Sequence, residues 1–313
     1  MYNNETLDEK LINAKYAKNP EISVVLATRN RPQKLVKSIE SVLGQTYNDF
    51  ELIVVDGSDN YDSKKIVESF ASKDKRIKYL VDSGNGPSTA RNIGLKKSSG
   101  EYINFHDDDT VMYPEKLETL ISGFYGEAAD LGVVYSSHLE ISKNGKRIVP
   151  TIFKKDLAGY KRDIHKRLTK GCLVDSSSGL IKKECLDTCG KFDERIKTGE
   201  DWDLYLRIAS KYKFKFIDTP LYTSYLGDNN LRFDMPKFKA GYKIIRKKTA
   251  DYLKMKGTIP YVKYRLTTYY STGALYRLYV AIKKNAAVRF IDHYLHSTAD
   301  CNMDEQRNPG YKQ

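Results

Sequence analysis

Three consecutive aspartates, Asp107, Asp108 and Asp109, follow the apolar run YINF. Like charges a few ångströms apart repel, so an acidic triplet at the end of a core strand calls for a positive partner. Alternate residues of an extended segment face the same way, which puts the Asp107 and Asp109 carboxylates within reach of one ion. Oxygen ligands favour Mg2+ or Mn2+. An ion held by so few side chains takes its remaining ligands from a diphosphate and neutralises a leaving phosphate. The plainer explanation is an acidic cap on the following helix. A second acidic group, Glu200 and Asp201 in GEDWD, opens another helical pattern, where acids answer the helix macrodipole.

The elements that position these groups alternate strand and helix. ISVVLA (22–27) reads as a buried strand, and NRPQKLVKSIESVLGQ as a helix. Asn30 caps that helix, Pro32 suits its first turn, and Leu35, Ile39, Val42 and Leu43 form its apolar stripe. FELIVVD (50–56) is a second strand ending at Asp56; SKKIVESFAS is a helix and RIKYLV a third strand. GPSTARNIGLKKSSG opens with Gly-Pro and closes with Gly, as a short helix does, and EYINF (101–105) is a fourth strand. Strands apolar throughout predict a mostly parallel sheet with helices on both faces, the α/β class. Ligands of such sheets bind at the carboxyl ends of the strands. Asp56, Asp107 to Asp109 and the turn TRNR all fall at that edge. Further on, PEKLETLISGFYG and GEDWDLYLRIASKY read as helices. LGVVYSSHLEI and KRIVPTIF read as a hairpin-like pair, and KFKFID and LYTSYL as strands.

The chain has 313 residues, 40% of them apolar and 30% charged, a globular composition with room for one large domain and an extension. No apolar run is long enough for a transmembrane helix, and the first twenty residues lack the apolar core of a signal peptide. Cys172, Cys185, Cys189 and Cys301 fit no zinc spacing and read as reduced thiols of a cytoplasmic protein. The net charge of +13 is uneven: residues 231–313 hold 17 Lys/Arg against 6 Asp/Glu, and 10 of the 24 tyrosines. This divides the chain into a leader (1–20), a nearly neutral catalytic region (21–230) and a basic, Tyr-rich, mainly helical C-terminal region (231–313). Tyr269, Leu275 or Tyr276, Tyr279 and Ile282 recur at helical spacings beside basic residues. Such a face lies on an anionic membrane surface, packs on the catalytic region, or forms a dimer interface.

Over roughly residues 20–230 the chain resembles family 2 glycosyltransferases of the GT-A fold. The resemblance rests on ISVVLATRNRP, QTYNDFELIVVDGSD, GPSTARNIGLKKSSGEYINFHDDDTVMYPEKLE, SSGLIKKECLDTCGKFDE and GEDWDLYLRIA, in that order. It implies a Rossmann-like GT-A domain that transfers a sugar, with inversion, from a nucleotide-diphosphate sugar to an acceptor hydroxyl. By resemblance, Thr28 and Asn30 contact the nucleotide and Asp56 hydrogen-bonds the base, usually uracil. Arg91 lies near the diphosphate. Asp107 and Asp109 match the metal-binding D-x-D, with Asp108 near the sugar or ribose. Asp201 matches the catalytic base, with Glu200 and Trp202 at the acceptor or sugar pocket. Mn2+ or Mg2+ is the implied cofactor. The implied partners are a UDP-sugar donor, with a GDP-sugar as the alternative, and a glycan or lipid-linked acceptor; no nucleic acid is expected. The implied location is the cytoplasm, peripheral on the inner face of the membrane.

The sequence also departs from the family. Thr110 stands where a fourth acid is frequent, and His106 where an apolar residue is usual. YLGDNNLRF lacks a histidine many relatives carry there, so no third metal ligand is assigned to that loop. Q-x-x-R-W of the processive synthases is absent, which implies addition of one or a few sugars.

Each assigned residue has a plainer role: Asp56 as a turn former, Arg91 as a solvated helix arginine, Trp202 as a core aromatic. Rival functions are weighed on the same residues. NFHDDDTV fits the D-x-D-x-[TV] pattern of haloacid-dehalogenase-type phosphatases, with Asp107 as nucleophile, but three strands precede it where that class has none. A nucleotidyltransferase needs a Gly-rich loop after the first strand, which LATRNRP lacks. A non-catalytic RNA-binding protein fits the basic tail, yet no nucleic-acid motif accompanies it.

Overall fold

The computed structural model describes residues 19–141, 145, 147–148, 164–169, 171–225 and 234–255. The expected alternation is present from the start: β1 (Ile22–Thr28), α1 (Pro32–Leu43), β2 (Phe50–Asp56), α2 (Asp62–Ala71), β3 (Ile77–Val81), α3 (Pro87–Lys97) and β4 (Tyr102–Asp107). The second half adds β5 (Thr110–Met112), α4 (Lys116–Ser122), β6 (Leu131–Ile141), β7 (Arg147–Ile148), α5 (Ile164–Leu168), β8 (Gly179–Lys182), α6 (Lys183–Cys189), α7 (Glu200–Ala209), β9 (Lys213–Tyr225) and α8 (Met235–Met255).

The strands form one sheet in the order β3-β2-β1-β4-β8-β6-β9-β5, with β7 paired to β6. β1 to β4 are parallel, as their unbroken apolar runs predict. β8 runs antiparallel to both β4 and β6, so the sheet is mixed beyond β4. The expected pairing around SKNGK appears as β6–β7, Glu140 opposite Ile148. KFKFID and LYTSYL, read as two strands, are one strand, β9, that pairs with β6 through register shifts. Pro220 lies at that irregularity, where a missing N–H is tolerated.

Residues of β1 and β2 alternate between two apolar layers. Val24, Leu26, Leu52 and Val54 pack with Leu35, Ile39 and Val42 of α1. Val25, Ile53 and Val55 join Ala90 of α3 and Leu204 and Ile208 of α7 on the other face. Every residue of β2 is buried, including Asp56 at its end. Burial on both faces fixes strand register, because a one-residue slip would exchange the two layers.

The compact unit that carries the sheet runs through Ile245, and a second unit begins at Arg246. In the first unit, Tyr242 of α8 stacks on Trp202 and Ile245 is buried. Among the described residues no helix is long and apolar enough to cross a membrane. The leader and the periodic residues between Tyr269 and Ile282 lie outside the described residues.

Gly94 lets α3 lie directly on the sheet: a Cβ there would stand 2.3 Å from Val25 Cγ1 and 3.2 Å from Val55 Cγ2. Gly94→Ala is therefore expected to lower stability by about 1–3 kcal/mol, despite the helix propensity of alanine. Urea denaturation should show a lower midpoint at an unchanged slope.

Candidate active site

Register brings the predicted rim together. Thr28 stands opposite Asp56 on β2, and Ala27 opposite Asp107 on β4. Three strand ends therefore terminate level with one another, and the loops after them meet.

Thr28 Oγ1 donates to Asp108 Oδ2 at 2.9 Å. Arg31, at the N-terminus of α1, donates to Asp108 Oδ1 at 2.9 Å and reaches Asp109 Oδ2 at 3.4 Å. Arg31 escaped the sequence reading; its signal was a basic residue in the same TRNRP loop as Thr28. Asn30 adopts a positive φ of 54° and exchanges hydrogen bonds with Asp59, Nδ2 donating to Oδ2 and Oδ1 accepting from the Asp59 amide. It does not cap α1, which has no side-chain cap; it ties the β1 loop to the β2 loop. Asp56 is 2% exposed and accepts from the Ser58 amide at 2.8 Å and the Tyr79 hydroxyl at 2.9 Å.

Arg91 is a buried hub rather than a solvated helix residue. One terminal nitrogen donates to Glu200 Oε1 at 2.7 Å; the other donates to Asp107 Oδ1 at 2.6 Å and Ser176 Oγ at 3.2 Å. Burial works against the guanidinium charge, but Asp107 and Glu200 outweigh it and raise its pKa. Asp107 Oδ2 also accepts from Ser176 at 3.0 Å and Ser177 at 3.2 Å. Burial would raise this carboxyl, yet Arg91 and Ser176 hold it below its ordinary value.

Asp109 differs from Asp107. Burial, then the charges of Asp107 and Asp108, push its carboxyl up to about 6 against the pull of Arg31 and Lys34. Asp108 is also raised, chiefly by burial, with Arg31 and Thr28 opposing. The two aspartates read as one ion's ligands thus have different partners: Asp107 faces Arg91 and two serines, whereas Asp109 holds excess negative charge. That excess fits a divalent cation at Asp109. Among the described residues, no three His, Cys, Asp or Glu side chains converge as a metal cluster, and residues 226–233 lie outside them.

The two departures from the family pattern pair with each other: Thr110 Oγ1 and His106 Nδ1 lie 3.0 Å apart. Burial, aided by Lys116, pushes the imidazole down to about 3, so His106 is neutral.

On the acceptor side, Gly199 at φ 84° turns the chain into α7 and presents Glu200 and Asp201 at its first turn. Glu200 is spent on Arg91. Asp201 Oδ1 accepts from the Trp202 amide at 2.7 Å, and Cys172 Sγ lies 3.9 Å away. Burial, then Glu200 and Asp175, raise the Asp201 carboxyl well above the usual range, with Arg91 opposing. Trp202 is not a sugar platform: it is buried, its indole N–H donates to Leu168 O at 2.6 Å, and its ring stacks on Tyr242. The segment Asp175–Ser178 carries site residues that sequence reading missed, because serines in a turn give no periodic signal.

The sheet and the rim of acids at its strand ends define an α/β fold of the GT-A type. Residues 23–189 match the family Glycosyl transferase family 2, and the chain belongs to that family. It is 33% identical over 203 residues to an uncharacterized glycosyltransferase of Methanocaldococcus jannaschii, covering 64% of this chain and 68% of the relative. It is 25% identical over 224 residues to the chondroitin synthase of Escherichia coli, covering 71% of this chain and 31% of that protein. An uncharacterized glycosyltransferase of Rickettsia bellii is 29% identical, and the matched stretch spans 72% of this chain and 31% of that relative's length. Among solved structures, S. aureus TarS 1-349 in complex with UDP-GlcNAc superposes with a TM-score of 0.59 at 20% identity, covering 72% of this chain and 65% of that one. Mannosyltransferase PcManGT from Pyrobaculum calidifontis, in complex with GDP-Man and Mn2+, gives 0.56 at 15% identity, covering 89% of this chain and 85% of that one. These structures establish the fold. Family membership makes the chain a glycosyltransferase, which sets aside the phosphatase and RNA-binding readings.

The charge on Asp109 carries a stability consequence. Its folded value, about 6, exceeds that of an unfolded aspartate, so the ionised form is the disfavoured one in the native state. Above about pH 6 the metal-free protein bears the full cost, and below about pH 4 it bears none. Asp109→Asn is expected to stabilise the EDTA-treated protein at pH 8 by about 1–3 kcal/mol, with the gain vanishing on acidification. Denaturant midpoints across that range check it.

Proposed function

We propose that the protein is a divalent-metal-dependent, inverting, non-processive hexosyltransferase. It takes a nucleotide-diphosphate sugar, UDP-linked by preference and GDP-linked as the alternative, and a hydroxyl of a glycan or lipid-linked acceptor. One observation carries the reading. Arg91 links the acid at the end of β4 to Glu200, and Asp201 stands beside Glu200 with an unusually basic carboxylate.

In this reading Thr28, Asn30 and Asp56 receive the nucleotide, with Asp108 near the ribose and sugar. Arg91 stabilises the charge that develops on the diphosphate. Mn2+ or Mg2+, held by Asp109 with Asp107 behind it, would neutralise the departing diphosphate. Asp201 takes the proton from the acceptor hydroxyl as that oxygen attacks the anomeric carbon, and one in-line displacement inverts the configuration. The raised carboxyl makes Asp201 a stronger base than an exposed aspartate. Because it must be ionised to act, the acid limb of kcat lies above the ordinary carboxylate range.

Asp201→Asn is expected to lower turnover by ~100-fold or more while leaving donor affinity in place. Thermal shift with UDP- and GDP-sugars in Mn2+ identifies the donor without an acceptor. Equal donor affinity in Mn2+ and in EDTA would remove the metal from the mechanism. So would retention of more than about a tenth of wild-type turnover by Asp201→Asn remove the assigned base.

The proposal includes peripheral contact with the cytoplasmic face of a membrane. On α8, Lys239 and Lys243 are exposed at four-residue spacing, a basic pair suited to anionic headgroups. A further support is a relative, the GalNAc(5)-diNAcBac-PP-undecaprenol beta-1,3-glucosyltransferase of Campylobacter jejuni, 38% identical over 104 residues, which span 33% of this chain and 34% of that one. The full chain is expected to co-sediment with anionic vesicles at low salt and to be released by salt. A chain with Lys239 and Lys243 changed together to Glu should remain in the supernatant. A wild-type chain that stays in the supernatant rules the contact out.

A further inference from the structure

Lys116, the first residue of α4, is fully buried. A lysine in that position is costly unless its ammonium is well partnered. Its Nζ donates to the Ser177 carbonyl at 2.6 Å and lies 4.5 Å from the centre of the Tyr222 ring. The Tyr222 hydroxyl in turn donates to Asp175, 2.7 Å from Oδ1 and 2.6 Å from Oδ2. One buried cation therefore touches the segment Asp175–Ser178 directly and, through Tyr222, at its first residue.

The chain from Cys172 to Ser178 joins the two halves of the site. Three residues before the turn, Cys172 Sγ lies 3.9 Å from Asp201 Oδ1. Within the turn, the Ser176 and Ser177 hydroxyls donate to Asp107 Oδ2. The turn is closed by the Ser178 amide on the Asp175 carbonyl at 3.2 Å, and the Ser178 carbonyl accepts from the Ser136 amide of β6 at 3.2 Å. The separation between the donor-side acid and the acceptor-side base thus depends on where this turn sits.

We propose that Lys116 is a positioning residue for glycosyl transfer: its buried ammonium pins the Asp175–Ser178 turn and thereby sets Asp107 and Asp201 at the spacing that in-line displacement requires. This rests on the assignment of Asp107 to the donor and Asp201 to the acceptor. Lys116 itself touches neither substrate. The groups that face it are His106 and Asp107 from β4, Asp175 and Ser177 from the turn, and Tyr222 from β9. Burial pushes its amine down to about 7, and Asp175 and Asp107 oppose that, which marks how fully the ammonium relies on these neighbours.

Lys116→Met separates positioning from mere packing. An apolar side chain of similar length is tolerated or even stabilising where a charge was buried, so a packing role predicts a folded protein of normal turnover. Positioning predicts a folded protein whose kcat falls ~100-fold at unchanged donor affinity, since an ångström of misplacement has that effect. Hydrogen exchange supplies a readout independent of turnover. The Ser178 and Ser136 amides should exchange faster in Lys116→Met, with the amides of β1 and β2 unchanged. Tyr222→Phe, which keeps the ring under Nζ and releases Asp175, is the second variant and stands alone should Lys116→Met not fold. It should also lower kcat at unchanged donor affinity; where Lys116→Met folds, the two losses should not add in the double variant, because both act through one turn. The proposal is overturned by unchanged exchange at Ser178 and Ser136. It is equally overturned by a kcat loss of less than about tenfold in both folded variants, or by a loss that only tracks weaker donor binding. If the wild-type chain turns over no nucleotide sugar, the functional assignment fails, and the exchange experiment alone decides whether Lys116 pins the turn.

Discussion

A single buried guanidinium organises this site. Arg91 lies between Asp107 at the end of β4 and Glu200 at the start of α7, with a further bond to Ser176. Taking a guanidinium and the Glu200 carboxylate out of water is costly, and the cost is recovered only while they stay together with the half-buried Asp107. Loss of one member leaves an uncompensated buried charge, typically about 3–5 kcal/mol. The arrangement is therefore held as a unit, and three remote stretches of chain are held with it. What it supplies beyond stability is alignment, because each acid neighbours a second acid whose carboxyl is raised: Asp109, which Arg31 and Lys34 offset only in part, on one side, and Asp201 on the other.

The resulting division of labour among carboxylates follows from partners rather than residue type. Asp107 and Glu200 are both paired with Arg91, which fixes where they stand. Asp109 and Asp201 are buried among like charges and have raised carboxyl values. A raised carboxyl beside a cation-accepting rim suits metal ligation, and the same shift on a helix-borne acid suits proton abstraction. Environment, not identity, separates the two roles. Lys116 extends this logic beneath the site, a third buried cation after Arg91 and the partly buried Arg31, placed under the turn that spans from one acid to the other.

Much of the front half of the fold was legible in the chain. Unbroken apolar runs in ISVVLA, FELIVVD and YINF can be satisfied only by burial on two faces, so the sequence alone implies parallel strands with helices on both sides. Strand ends follow from where those runs stop, and in an open α/β sheet the stops are the ligand edge. Asp56, Asp107 to Asp109 and the turn TRNR were placed at the rim for that reason, whereas Thr28, Arg91 and Asp201 were singled out by the family resemblance. The mixed half was less legible: β9 spans a proline and shifts register against β6, and local pattern carries no information about such pairing.

Sequence by itself determined which residue types crowd the rim and on which elements they ride, because hydrophobic period and turn chemistry are local properties. Tertiary structure decided what each one touches. That Asp107 meets Arg91 while Asp109 keeps its excess charge depends on contacts 16 and more residues apart. The same holds for Trp202, whose helical position permits either face and whose burial against Leu168 and Tyr242 is set by chain far away in sequence. Lys116 is the clearest case. A lysine at the start of a helix reads as solvated, and only the approach of Ser177 and Tyr222 from 61 or more residues away makes it a buried anchor. Long-range contacts of this kind fix electrostatics, and electrostatics fix the roles of otherwise identical side chains.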